Sequence, residues 1–517
     1  MRQFRIAAGA AATIAALVAA QLGTVSPAAA AIGYASIYSS DLTRELRMAC
    51  DGPSHVFGPG GRGHTRSDFD GDYSEDVVTF GVNQTTGNRV VVVQLTGMRC
   101  VFYGAAAGLD SIVSMTAGDI DHDGFDDLVL GLAGQTAGAG GVWVVPGHPS
   151  GFGISSSEYW DQDTAGVPGQ RNAGDGFGSA LALGDINDDG YADLAVGAPG
   201  EQVSTYPGEG AVTVLYGSAT GLTATGAQRF HTSLSTVPGA PAGPGENFGR
   251  ALAIGDVTND GNGDLVVGSA VGGGNVMLLK GADTGVTTTD VDAFTGAEVS
   301  TANVTVHGYG TRLLVADVTG DGFGDIVAGT PDSDVKGKAG AGAVVVLEGR
   351  AGGVQATGKQ LLVQGSTAGI PGTPTAGDRF GAYVAAGELT GTAPVDLAIG
   401  VPGEDIAAQP DAGVVAILPG LATLGVGATQ ISLSSINMGS QPNGEFGLWL
   451  TVIDRWHNNA QFDLVVGLPG ASGGTLPQNG IIYAFEGVPG GQQYDELFLA
   501  HYVQTPTDVV LQRLGTS

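Results

Sequence analysis

The segment Asp185-Ile186-Asn187-Asp188-Asp189-Gly190-Tyr191-Ala192-Asp193 sets oxygen-bearing side chains at loop positions 1, 3, 5 and 9. In a tightly wound loop alternate residues point inward, and a glycine after position 5 permits a sharp turn. Position 7 can add its backbone carbonyl, so such a loop can wrap a hard cation that takes six to eight oxygens at about 2.3–2.6 Å. Four other loops carry the same set: Asp68, Asp70, Asp72 and Asp76; Asp119, Asp121, Asp123 and Asp127; Asp256, Thr258, Asp260 and Asp264; Asp317, Thr319, Asp321 and Asp325. In the first of these Gly71 precedes position 5 instead of following it.

The expected ion is calcium, at about five sites, because the ligands are many, all oxygen and all held by the protein, whereas magnesium keeps several waters. Zinc and copper favour His or Cys, and the one such residue inside a loop, His122, falls at an outward-facing even position. An EF-hand would need Glu at position 12, where Leu130 and Val196 stand in the second and third loops. The competing reading is a series of metal-free Asx turns; three or four carboxylates crowded into one loop argue for a compensating cation instead. A sixth loop, Glu388 to Asp396, lacks the position 5 carboxylate and the glycine. A seventh, Asp454 to Asp463, is one residue longer and carries Trp456, His457 and Asn458. Neither is expected to bind calcium well.

These loops need rigid elements at both ends, and the elements recur. Loop starts at 68, 119, 185, 256, 317, 388 and 454 are separated by 51, 66, 71, 61, 71 and 66 residues, the mark of a repeat architecture. A second pattern of five or six mostly apolar residues bounded by glycine has the same period: Arg89 to Gly97, Gly141 to Gly147, Gly210 to Gly217, Gly274 to Gly281, Gly342 to Gly349, Gly413 to Gly420 and Gly480 to Gly487. Runs such as AVTVLY read as buried strand. In the clearest repeat strands are expected at 178–183, 194–198, 211–216 and 227–232. Four short antiparallel strands per unit, repeated seven times, predict an all-β, seven-bladed β-propeller. Ala35 to Leu46 is a candidate for the strand that closes the ring, an unclosed ring leaving edges exposed.

Residues 1–30 read as a signal peptide: Arg2 and Arg5, an apolar stretch from Ile6 to Leu22, then the small residues Ala28, Ala29 and Ala30. Residues 31–505 form the propeller and 506–517 a C-terminal tail. No later run of eighteen apolar residues occurs, so no transmembrane segment is expected and the chain is placed outside the cell, secreted or at the surface. The formal charge of -31 excludes nucleic acid and anionic membrane as partners. The two cysteines, Cys50 and Cys100, are expected to pair in an oxidising compartment.

Phe177-Gly178 and Gly197-Ala198-Pro199 bracket the third loop, and Phe248-Gly249, Phe380-Gly381, Phe446-Gly447, Gly400-Val401-Pro402 and Gly467-Leu468-Pro469 echo them. In these features the chain resembles the FG-GAP repeats of integrin α propellers. The resemblance implies structural calcium in loops joining the first two strands of each blade, with partners engaged on the opposite face. It adds the backbone carbonyls of Ser74, Phe125, Tyr191, Asn262 and Phe323 to the ligand set. It departs from the family in that integrin propellers carry such loops in their later blades, whereas here the complete ones are the first five.

Two functions follow. One is a monomeric binding or adhesion scaffold for an extracellular protein or glycan, with contacts on the longer connections 201–210, 233–247 and 350–379. The alternative is a secreted hydrolase or lyase of the phospholipase or polysaccharide-degrading type, since FG-GAP repeats occur in some of these. No catalytic residue is assigned. Gly470 to Gly474 fits G-x-S-x-G, but without a helix to form a nucleophile elbow, and Gly58 to Gly63 fits G-x-G-x-x-G without strand or helix around it. The cluster at Arg455, Trp456, His457 and Asn458 is a candidate ligand pocket.

Overall fold

The computed structural model describes residues 112–149, 151–234, 237, 243–269, 273–365, 369–391, 394–420, 423–435 and 442–453. Around them it describes the segments 33–38, 45–51, 67–71, 76–83, 89–95, 98–104, 463–468, 481–485 and 509–514. The fold is all-β, a β-propeller of successive antiparallel sheets. The third sheet is typical: strands Ala180–Gly184, Asp193–Ala198, Ala211–Tyr216 and Thr223–Phe230 pair in chain order. Four more four-stranded sheets, one three-stranded sheet and one six-stranded sheet accompany it among the described residues, with two short two-stranded ribbons. The expected strand bounds hold within a few residues. The largest change is in the fourth strand, which starts at Thr223 because it pairs with the third strand through a register shift between Val214 and Tyr216.

The second and third strands are buried along their whole length, as in Asp193–Ala198 and Ala211–Tyr216. Each has neighbours on both edges and a sheet on both faces, so apolar residues are required at every position, and alternation disappears. Side chains from successive sheets interleave: Val129, Val142 and Val144 of the second sheet pack with Leu181, Leu194 and Val196 of the third. The same pairing recurs between the third and fourth sheets. First strands of successive sheets lie side by side and are only half-buried at their ends.

Backbone meets backbone where sheets join. Phe177, Phe248 and Phe380 each form a parallel bridge to the glycine that opens the third strand of the preceding sheet, Gly140, Gly210 and Gly342, and all three rings are fully buried. Tyr309 takes this place in the fifth sheet, bridging to Gly274. The glycine after each of the three phenylalanines donates to the glycine near the end of its own second strand, Gly178 N to Gly197 O at 3.0 Å and Gly249 N to Gly268 O at 3.1 Å. Its carbonyl faces the corresponding glycine of the sheet before. A Cβ on Gly197 would overlap the carbonyl oxygen of Gly249, and one on Gly400 that of Gly447. The Phe-Gly and Gly-x-Pro pairs seen in the sequence are thus two sides of one seam.

The ends of the chain differ from the sequence expectation. The described parts of 35–46 do not take the inner place of the first sheet. Instead Gly33–Tyr38 and Glu45–Asp51 extend it outward, Glu45–Asp51 pairing with Met98–Gly104. The free edge of Val77–Asn83 is paired by Val509–Leu514, a segment read from sequence as part of the tail. The physical reason is that the first aspartate loop precedes Val77–Asn83, which makes that strand the second of its sheet and leaves its inner edge in need of a partner. The register sets Cys50 directly opposite Cys100 on adjacent strands, the backbone placement that the expected bridge requires. No helix among the described residues is long and apolar enough to cross a membrane.

If the glycine seam sets the sheet spacing, Gly197→Ala drives a methyl into backbone and costs about 1–3 kcal/mol of unfolding free energy or more. Denaturant melts measure this, and a neutral substitution would contradict the seam.

Candidate metal centres

From the second onward each aspartate loop joins the first and second strands of its sheet, as residues 185–193 join Ala180–Gly184 to Asp193–Ala198. Two of its positions are left-handed. Position 6 is glycine in the second to fifth loops, Gly124, Gly190, Gly261 and Gly322, with φ from 86° to 96°. Position 4 is His122, Asp188, Asn259 or Gly320, with φ of 56°, 54°, 52° and 77°. His, Asp and Asn tolerate this region better than most residues. In the first loop Gly71 has φ 74° and so fills position 4: its glycine serves the other left-handed site. Asp72 and Ser74 lie outside the described residues, as do positions 454–462 of the seventh loop.

The position 1 carboxylate gathers backbone N–H groups. Asp185 accepts from Asp189 N (3.1 Å) and Gly190 N (2.8 Å); Asp119, Asp256 and Asp317 do the same in their loops. The position 5 carboxylates Asp123, Asp189, Asp260 and Asp321 each accept at 3.0 Å from the N–H of position 7, from Phe125, Tyr191, Asn262 and Phe323. These are Asx-type contacts, and a turn needs nothing more. Position 3 goes beyond a turn. Asn187 Oδ1 and Thr258 Oγ1 are buried with no hydrogen-bond partner, as is Asn262 Oδ1 at position 7. An unmatched buried oxygen costs about 1–3 kcal/mol, and a cation at the loop centre would satisfy it. In the first loop Asp68, Asp70 and Asp76 offer oxygens within 4.8 Å of one another, and in the second Asp119, Asp121 and Asp123 do so. The donor set fits a hard, oxygen-seeking ion.

Position 9 has a second task. Asp193 Oδ2 accepts from Ile186 N at 2.9 Å and its Oδ1 from Gly217 N at 2.9 Å, so this carboxylate ties the loop's start to the end of the third strand. Asp127, Asp264 and Asp325 repeat the clamp with Gly147, Gly281 and Gly349. In the first loop Asp76 accepts from Phe69 N at 3.0 Å. The sixth loop has lost the metal-binding pattern, yet Asp396 accepts from Thr390 N and Gly420 N. The strand-ending glycines had appeared in the sequence only as strand boundaries, and their N–H partners were invisible there.

Burial raises these clamping carboxyls: Asp193 is pushed up to about 7, Asp264 and Asp325 to about 6, with backbone N–H groups offsetting part of the shift. Asp121 rises to about 6 through desolvation and then the charges of Asp123 and Asp119. Asp119 and Asp127 are raised by desolvation as well.

At the opposite ends of the strands lies another buried polar group. Thr232 Oγ1 and Ser233 N and Oγ donate to Glu209, which is fully buried, and Glu246 is buried with it. His231 Nδ1 stands 3.5 Å from Glu209 Oε1. Ser233 is bound to a carboxylate and not to the imidazole, so the set anchors a connection and does not form a nucleophile–base pair. The segments 58–63 and 470–474 and the cluster 455–458 lie outside the described residues.

An all-β propeller with oxygen-lined loops at one end of successive sheets is the class these features define. Residues 177–215 and 309–347 match the FG-GAP repeat family, each span running from the seam aromatic through the loop into the third strand. The chain is similar to phosphatidylinositol-glycan-specific phospholipase D of Bos taurus, 35% identical over 172 residues, covering 31% of this chain and 19% of that protein. It is 35% identical to integrin alpha-D of Homo sapiens over 207 residues, covering 38% and 16%, and 34% identical to integrin alpha-PS2 of Drosophila melanogaster over 230 residues, covering 41% and 15%. The chain therefore spans less than a fifth of the length of these relatives. A solved structure of the Dos1 propeller aligns over 76% of this chain and 83% of that one at 12% identity, with a TM-score of 0.36. Two stretches of the chain thus match the FG-GAP repeat, and parts of it are similar to integrin α subunits and to the phospholipase D.

A carboxyl raised in the folded state binds protons that the unfolded chain releases, so stability falls as pH rises through the gap between the two values. For Asp193, Asp264 and Asp325 that window runs from the ordinary value of 3.8 to about 6–7. In chelator the unfolding midpoint should fall as pH goes from 4 to 7; with excess calcium the fall should vanish. Melts across this range test both arms.

Proposed function

We propose that this chain is an extracellular, seven-bladed propeller stabilised by about five calcium ions, and that it works as a binding scaffold for a protein or glycan. The observation that carries the metal half is the repeated oxygen-only loop whose position 3 oxygens, Asn187 Oδ1 and Thr258 Oγ1, are buried without a hydrogen-bond partner. Bound there, calcium supplies charge compensation for crowded carboxylates and no chemistry. The protein's own part is to hold the loop in shape through its two left-handed positions and the clamp at position 9.

The scaffold half is supported by the opposite strand ends. The connection from Glu201 to Gly210 is pinned at its buried ends by Glu201 and Glu209 and exposes Tyr206 between them. Glu201 is itself held by Gln162 and Arg229. An exposed aromatic on an anchored loop suits contact with a protein or a sugar ring.

Removal of calcium by chelator should lower the unfolding midpoint sharply, because a ligand at 100 times its dissociation constant adds about 2.7 kcal/mol per site. Metal analysis should return about five ions per chain; an unchanged midpoint with no bound metal would reduce the loops to turns. Binding is tested on arrays of glycans and extracellular matrix proteins, where Tyr206→Ala should weaken any captured ligand by about tenfold or more. Turnover of a phospholipid or polysaccharide by the pure protein would overturn the scaffold reading.

A further inference from the structure

Neighbouring aspartate loops are wired to one another through their backbones. The N–H of position 8 in each loop donates to the position 1 carbonyl of the loop before it: Asp126 N to Asp68 O at 3.0 Å, Ala192 N to Asp119 O at 3.3 Å, and Gly263 N to Asp185 O and Gly324 N to Asp256 O, both at 2.8 Å. All four seams between the first five loops carry this bond. It lies beside the third-strand glycine, whose Cβ would strike the same backbone: at Gly217 it would come 2.6 Å from Ala192 O and 2.9 Å from Ile120 O.

The peptide units involved are those that matter for a cation. The N–H of position 8 belongs to the same planar peptide as the C=O of position 7, the backbone oxygen expected to face the ion. The accepting carbonyl of position 1 shares its peptide with the N–H of position 2, which donates to the position 9 carboxylate of its own loop, as Ile186 N does to Asp193 at 2.9 Å. A continuous path therefore runs from the position 7 carbonyl of one loop, through two peptides and two hydrogen bonds, to the position 9 carboxylate of the loop before. Hydrogen bonds in such chains polarise one another. An ion drawing on the carbonyl strengthens the N–H behind it as a donor and fixes the orientation of the next peptide.

We propose that the five loops bind calcium cooperatively, each occupied site raising the affinity of its two neighbours through this peptide relay. The proposal rests on the calcium reading of the loops. Coupling must act equally in both directions along the chain of sites, so loss of an inner site is felt on two sides and loss of the last site on one.

Calorimetric titration of the calcium-free protein with calcium chloride tests this. The expected isotherm is steeper than five identical independent sites allow. Asp189→Ala, in the third loop, should remove one ion and weaken two others by about fivefold or more, whereas Asp321→Ala, in the fifth, should weaken one. Gly263→Ala keeps every ligand side chain but sets a Cβ 2.6 Å from the Asp185 carbonyl; it should retain all ions and lose steepness. Wild-type affinity at the remaining sites of Asp189→Ala would overturn the coupling while leaving the calcium sites standing. An absence of calcium binding by the wild type would overturn both.

Discussion

Glycine against glycine, backbone touching backbone between successive sheets, is the contact on which the rest of this protein depends. Where Gly197 meets Gly249 or Gly400 meets Gly447 there is no room for a single carbon. That closeness brings Phe248 or Phe446 fully into the interior and allows valines and leucines of two sheets to interleave. Burying such side chains contributes about 1.5–3 kcal/mol each. It also brings the loops at one end of the strands close enough for the backbone of one to bond the backbone of the next. A larger residue at the seam would disturb both the core and the line of candidate metal centres.

Within each loop the carboxylates divide their labour. Position 9 holds one N–H group from its own loop and one from the end of the third strand, and it is structural even where the remaining ligands have gone, as Asp396 demonstrates. Positions 1 and 5 shape the turn, while Asn187 and Thr258 at position 3 and Asn262 at position 7 each keep an oxygen that the turn leaves unmatched. An acidic loop can therefore lose candidate ligands and still keep its clamp. Gly391, with φ 70°, occupies position 4 in the sixth loop as His122 and Asn259 do in theirs. A polar network at the opposite strand ends, centred on Glu201 and Glu209, serves connections instead of ions.

Much of this was legible in the chain itself, for a physical reason: the interactions concerned are local or repeated. A loop's turn geometry is decided within nine residues, so Asp185 to Asp193 announces its oxygens and its glycine directly. Repetition then multiplied a weak strand pattern into a fold. What could not be read were contacts between distant residues. The partner of Asp193 is an N–H at Gly217, and that of Asp119 O is an N–H at Ala192 in the following repeat; backbone groups carry no residue-type signal, so no pattern of letters reveals them. The role of Gly71 was obscure for a related cause, since glycine at position 4 and glycine at position 6 look like an error of spacing until φ is known. Likewise the segment 509–514 reads as part of a tail, and only the unpaired edge of Val77–Asn83 makes it a strand. Sequence by itself determined the repeat, the all-β character and the donor chemistry, because each lies in short stretches of side chains. Tertiary structure alone decided which end of the chain completes the first sheet and how one loop is tied to the next, because those are bonds between main chains that folding brings together.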